Sequence, residues 1–199
     1  MKKIYLASKS PRRRELLSRV GIPFEVVERS CSIDNPPFDP NCPENYVIYL
    51  AEAKAKAAIA PEDGLILGCD TIVVQDGDLL EKPKTPGQAV EYLRRLQDNS
   101  HTVWTGIALF KRSMDKLESD FEATEVLFGS MSAEEIDAYV RSGEPMDKAG
   151  AYGIQEKGAL LVREVRGDYF NVVGLPLFRL TELLKRFNIH RLSVLENRD

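Results

Sequence analysis

The stretch Tyr5–Leu17, "YLASKSPRRRELL", reads as strand, tight loop and helix start within thirteen residues. Lys2–Ala7 is a short, largely apolar strand and Ser8–Ser10 a loop. Ser10 suits a helix N-cap and Pro11 the first helical position. Leu16, Leu17 and Val20 then follow at helical spacing, and Gly21 ends the helix. Arg12, Arg13 and Arg14 stand where the helix dipole is already positive. A helix start also binds anions, because its free N–H groups and its dipole point outward. A bound polyphosphate would therefore satisfy the cluster, with Ser8 and Ser10 as hydroxyl donors and Arg12 and Arg13 as bidentate grips. Arg14 is read as a solvated surface residue.

The same alternation continues along the chain. A strand is expected at Phe24–Val27 and a proline-rich loop at Asn35–Pro43. A helix over Glu44–Ala60 carries Val47, Leu50, Lys54 and Ala57 on one stripe. The apolar run "LILGCDTIVV", Leu65–Val74, leads through Asp76-Gly77 into a hairpin with Leu79 and Leu80. Pro86 opens a helix with the stripe Ala89, Val90, Leu93 and Leu96. Strands at His101–Phe110 and Phe121–Phe128 flank a charged loop. Ser132 and Glu135 make a capping box for a helix bearing Ile136, Tyr139 and Val140, closed by Gly143. "EPMDKAGAYGIQ" reads as a loop. Ala159–Val165 and Asn171–Pro176 read as a hairpin region around Arg166-Gly167-Asp168, and Leu177–Phe187 is the last helix. This predicts an α/β fold with a mixed β-sheet and flanking helices. No Gly/Ser or Pro linker divides residues 1–199, so one domain is expected, with any waist near 86–145.

Composition narrows the function. The 199 residues are 43% hydrophobic and 29% charged, as in soluble globular proteins. A net charge of −4 argues against a broad nucleic-acid surface. No apolar run reaches membrane-spanning length, and the N-terminus does not read as a signal peptide. Cys31, Cys42 and Cys69 are an odd number without CxxC spacing, which fits reduced thiols in a cytoplasm. His101 and His190 lack metal-ligand spacing and are read as structural or surface residues. Phosphate-loop, dinucleotide, nucleophile-elbow and HExxH motifs are absent.

Three residues besides the arginines break local rules. Asp70 interrupts an apolar run, where a carboxylate must face a cation, a metal or a cleft, or bond to backbone at a strand end. Lys54 lies on an apolar stripe, where it either snorkels out or points into a site. Lys82, after the hairpin, says nothing alone.

"LASKSPRRRELL", "GCDTIV", "EKP", "HTVWTGIAL", "SGEPMDKAGAYGIQ" and "NVVGLPL" together resemble the Maf family of nucleoside triphosphate pyrophosphatases, in order and spacing, over nearly the whole chain. "SPRR" with "DKAGAYGIQ" resembles the dTTP/UTP pyrophosphatase branch. The resemblance implies two lobes around a central cleft, as in inosine triphosphatases. It implies hydrolysis of dTTP and UTP to the monophosphate and pyrophosphate with a divalent cation, Mg²⁺ or Mn²⁺. By motif, Asp70 matches the catalytic aspartate, as base, metal ligand or both. Arg12, Thr71 and Gln155 match positions tied to substrate choice. Ser8, Arg13, Lys54 and Lys82 match polar positions of the cleft. A homodimer is a family-level expectation. Two other readings are a nucleotide-binding regulator of septum formation whose hydrolysis is incidental, and a small-molecule phosphatase that cuts the terminal phosphate. Two departures stand out. "LQDNSHTV", Leu96–Val103, lacks the family's Ser-Gly. "SIDNPP" keeps Asp34 but has Asn35 where a second acid is common, which leaves a second metal ligand open.

Overall fold

The computed structural model describes residues 3–190. The strands are β1 (Ile4–Leu6), β2 (Phe24–Val26), β3 (Leu65–Gln75), β4 (Asp78–Leu80), β5 (Ser100–Lys111), β6 (Lys116–Phe128) and β7 (Val162–Arg166). The helices are α1 (Pro11–Arg19), α2 (Pro43–Lys56), α3 (Pro86–Leu96), α4 (Ala133–Arg141), α5 (Tyr169–Val173) and α6 (Leu177–Lys185). Among the described residues the strands form one sheet ordered β2-β1-β3-β5-β6-β7, with β4 paired to β3. It is mixed, as expected. β1 runs parallel to β2 and to β3, whereas β3–β4 and β6–β7 are antiparallel.

The chain divides into two compact units. The first comprises Met1–Asp70, Thr105–Glu122 and Gly174–Asp199; the second comprises Thr71–Trp104 and Ala123–Val173. In the first unit β1 is the middle of three parallel strands, in the register Ile4↔Phe24 and Ile4↔Leu65. Its Ile4 and Leu6, which share one face, are fully buried, and Tyr5 on the other face is half-buried. Helix α2 packs directly on the sheet. A Cβ on Gly68 would lie 2.1 Å from the Ala51 carbonyl oxygen, and one on Gly106 would lie 2.3 Å from that of Val47. Only glycine permits this approach, and Ala51 and Ala55 complete the small-residue seam.

In the second unit α3 and α4 pack together. α3 buries Ala89, Tyr92, Leu93 and Leu96, while Val90, expected on the stripe, is half-buried. Asp76 and Gly77 both take positive φ, 52° and 81°, which makes the expected tight hairpin turn. The capping box at Ser132 and Glu135 is present in both directions.

The structure corrects four expectations. Residues 171–173 are not a strand: Asn171 and Val173 belong to α5, and only Val162–Arg166 pairs with β6. The Asp168 carboxylate accepts the Phe170 N–H at 2.8 Å, which starts a helical turn. The buried Asn171 amide then donates to the Val103 carbonyl and to Thr124 Oγ1, each at 2.9 Å. The charged loop before Phe121 is largely strand, since β6 begins at Lys116. Its charges pair across neighbours there, as in Arg186–Glu118 at 2.9 Å and Arg179–Glu122 at 2.8 Å. α2 stops at Lys56, short of Ala60. Finally, Ser10 occupies the N-cap position of α1 without a capping side-chain bond. Ser8 Oγ instead accepts the Ser10 N–H at 3.3 Å.

Candidate active site

In the first unit β1 and β3 are parallel and in register at Leu6↔Leu67, and the Ala7 N–H donates to the Leu67 carbonyl at 2.9 Å. The loop after β1 therefore leaves the sheet beside the continuation of β3, at the carboxyl end of β1. Chain connections depart to opposite sides there, because α1 leads to β2 while β3 flanks β1 on the other side. Such a switch point is where open α/β sheets bind ligands.

Two pairs of the expected residues meet at this end. Arg13 Nη1 donates to Ser8 Oγ at 2.9 Å, and Arg13 Nε donates to the Gly174 carbonyl at 2.7 Å. The guanidinium is thus held in place by the loop before it and by the turn after α5. Lys54 Nζ forms an ion pair with Asp70 Oδ1 and lies 3.5 Å from the Cys69 carbonyl. The close seating of α2 on Gly68 sets this meeting, because it brings the last turn of the helix onto β3. Lys54 therefore turns toward Asp70 rather than snorkelling out to solvent.

Burial holds the Lys54 ammonium below its ordinary value; Asp70 opposes that shift, and the Arg13 guanidinium reinforces it. The same burial pushes the Cys69 thiol up and keeps it protonated. One carboxylate and two cations thus share a partly desolvated corner. Arg12 is half-buried in the first turn of α1 and Arg14 is exposed. No acidic residue enters that first turn, so its N-terminal charge stays positive.

The remaining candidates belong to the second unit. Thr71 follows Asp70 directly in β3 and is half-buried. Lys82 is exposed after β4, and Gln155 is half-buried in a turn. These two segments are tied locally. The Gly150 N–H donates to the Glu81 carbonyl at 3.3 Å, and Gly150 packs on Val73 of β3. Asp34 is exposed. Among the described residues no group of three or more His, Cys, Asp or Glu could enclose a metal. Sequence reasoning missed the Gly174 carbonyl, because it took Asn171–Pro176 for a strand. The glycine itself was the available signal, and it adopts φ 119°.

A family model described as Maf-like protein matches residues 3–187. This chain belongs to the Maf family. A dTTP/UTP pyrophosphatase of Bacillus cereus is 46% identical over 190 residues, covering 95% of this chain and 92% of the relative. One from Moorella thermoacetica is 47% identical, covering 95% and 97%. Among solved structures, a HAM1 protein from Coxiella burnetii matches with a TM-score of 0.52 at 16% identity, over 94% of this chain and 100% of that one. The Staphylococcus aureus Ham1 protein matches with a TM-score of 0.51 at 14% identity and the same coverage. At that identity the shared property is the fold, and it is the one the Maf motifs implied. No helix among the described residues is long and apolar enough to cross a membrane.

Proposed function

We propose that this Maf protein hydrolyses dTTP and UTP to the nucleoside monophosphate and pyrophosphate. The observation that carries the reading is the Asp70 carboxylate, just past the part of β3 that pairs in parallel with β1, beside Lys54 and near Arg13. The pyrimidine substrates follow from the relatives named above.

A triphosphate brings about four negative charges, so cations and N–H donors must receive it. Arg12, Arg13, Lys54 and Lys82 supply the cations, and the first turn of α1 supplies backbone N–H groups. Asp70 is suited to accept the proton of the attacking water. Oxygen attack at the α-phosphorus breaks its bond to the bridging oxygen, and pyrophosphate departs with that oxygen. Gln155 offers one amide donor and one acceptor, which matches the N3–H and O4 of uracil or thymine. Thr71, next to Asp70, belongs with Arg12 and Gln155 in substrate choice.

The donor set fits Mg²⁺ or Mn²⁺, which take one or two carboxylates and complete their shell from phosphates and water. Asp70 would hold the ion; the lack of an acidic cage among the described residues argues against an all-protein site. When bound, the metal neutralises phosphate charge and acidifies coordinated water. Three free thiols suit a reducing compartment, and we place the enzyme in the cytoplasm.

The test is incubation with dTTP, UTP, CTP, ATP, GTP and 7-methyl-GTP, with products resolved by chromatography. Monophosphate and pyrophosphate from dTTP and UTP, abolished by EDTA and restored by Mg²⁺ or Mn²⁺, are expected. Diphosphate and orthophosphate would overturn the reading. Full activity in EDTA would remove the metal from it.

A further inference from the structure

The second unit holds a buried carboxylate that the chemistry above does not use. Glu144, 9% exposed, opens a short 3₁₀ turn at Glu144–Asp147. Its Oε1 accepts the Tyr139 hydroxyl at 2.9 Å and the Gly158 N–H at 3.0 Å. Its Oε2 accepts the Lys157 N–H at 3.0 Å. The Tyr139 oxygen in turn accepts the Gly153 N–H at 3.2 Å. Burial pushes the Tyr139 phenol up, the Gly153 N–H opposes that, and Glu144 adds to it, so the hydroxyl remains a donor.

These bonds have a pattern. Gln155 lies two residues after Gly153 and two before Lys157. The backbone on both sides of it is therefore pinned by one carboxylate–phenol pair. An apolar side chain would pack beneath this loop at less desolvation cost. What it would not supply is direction: three N–H groups, before and after Gln155, each aimed at a fixed oxygen. A pyrimidine-reading amide needs that, since an amide free to turn over also fits the reversed donor and acceptor order of adenine.

We propose that Glu144 and Tyr139 are positioning residues for base selection, which hold the backbone flanking Gln155 so that its amide presents one orientation. The proposal rests on the reading of Gln155 as the base-contacting group. It gives the pair no part in bond breaking: the product stays pyrophosphate, and the Asp70 chemistry is untouched.

The test measures kcat/KM for dTTP and for ATP in wild type, Tyr139→Phe, Glu144→Gln and Gln155→Ala. Tyr139→Phe removes one hydroxyl and leaves the Gly153 N–H without its acceptor. Glu144→Gln places an amide NH₂ against N–H or O–H donors. Both should lower the dTTP-to-ATP ratio roughly tenfold or more, through KM more than kcat, because buried polar groups set such ratios. A lowered melting temperature with an unchanged ratio would make the pair merely structural and overturn the proposal. Should Gln155→Ala relax selectivity while Tyr139→Phe and Glu144→Gln do not, this inference falls and the reading of Gln155 stands. Should Gln155→Ala keep wild-type selectivity, both fall. Amide hydrogen exchange on the unaltered protein is an independent check should a variant not fold. The Gly153, Lys157 and Gly158 amides should be protected without substrate, and free exchange at them would overturn the proposal.

Discussion

At the scale of single residues, Arg13 of the first helical turn finds its partners in a hydroxyl and a carbonyl. Arg13 is spent on holding a shape, between Ser8 Oγ and the Gly174 carbonyl, and its charge also reaches Lys54. Arg13→Ala should therefore raise KM and lower kcat together, since it removes a brace of the loop and, on the proposed reading, a phosphate grip. Steady-state kinetics checks this against the unfolding midpoint. Asp70→Asn should bind dTTP but turn over at least about a hundredfold more slowly, the scale of a lost general base. A variant near wild-type rate would take Asp70 out of the chemistry. Lys54 carries a pH signature. Burial lowers its value from 10.5, so it sheds its proton as pH rises toward that figure, before an ordinary lysine would. Triphosphate affinity should weaken over that alkaline range. Lys54→Gln should bind more weakly throughout and lose this limb, as binding isotherms at a series of pH values would show.

At the scale of elements, the contact of α2 with β3 and β5 is made by backbone. Gly106→Ala puts a methyl 2.3 Å from the Val47 carbonyl oxygen, so the helix must shift. The expected cost is about 3 kcal/mol, typical of overpacking. That corresponds to a drop of about 6–12 °C in Tm for a chain of this size. Activity per folded molecule should fall as well, because Lys54 rides on α2. A second case is β5, where His101 is 3% exposed, bonds the Tyr152 hydroxyl through Nε2 at 2.8 Å and packs edge-on to Phe128. Burial lowers its value from 6.5 to about 4. The unfolded chain therefore binds a proton between those values that the folded chain does not. Stability is complete above 6.5 and falls as pH drops toward 4, by up to about 3 kcal/mol. Urea unfolding across that range should show a steeper acid loss for wild type than for His101→Gln. Tyr152 stands three residues before Gln155, so the same acidification loosens a partner of the segment that carries Gln155.

At the scale of the whole molecule, binding and folding are linked. A ligand that binds only the native chain at a hundred times its Kd adds about 2.7 kcal/mol of stability. A non-hydrolysable dTTP analogue with Mg²⁺ should raise Tm accordingly. The shift should shrink in Arg13→Ala, and in Asp70→Asn it should lose its dependence on Mg²⁺ while keeping the part that the analogue produces alone. A thermal melt with and without the analogue is the measurement.

The sequence determined every element built from local signals. Periodicity, Pro11 and Pro86 at helix starts, the Ser132–Glu135 box and the Asp76-Gly77 turn act over a few residues, and the structure has each of them. It also marked Lys54 and Asp70 as out of place, because a charge on an apolar stripe is visible without coordinates. What it could not decide was which charge met which. Lys54 and Asp70 are sixteen residues apart, and only the seating of α2 on Gly68 joins them. The run Asn171–Pro176 looked like a strand because Val172 and Val173 favour one. It folds as a helical turn because Asn171 is bonded to Val103 and Thr124, 68 and 47 residues away. The role of Glu144 was hidden for the same reason: its partners on Tyr139, Lys157 and Gly158 are assembled by the fold. Local chemistry fixes where a chain turns and stops; burial and long-range hydrogen bonds, which exist only once it has folded, fix what its polar groups touch.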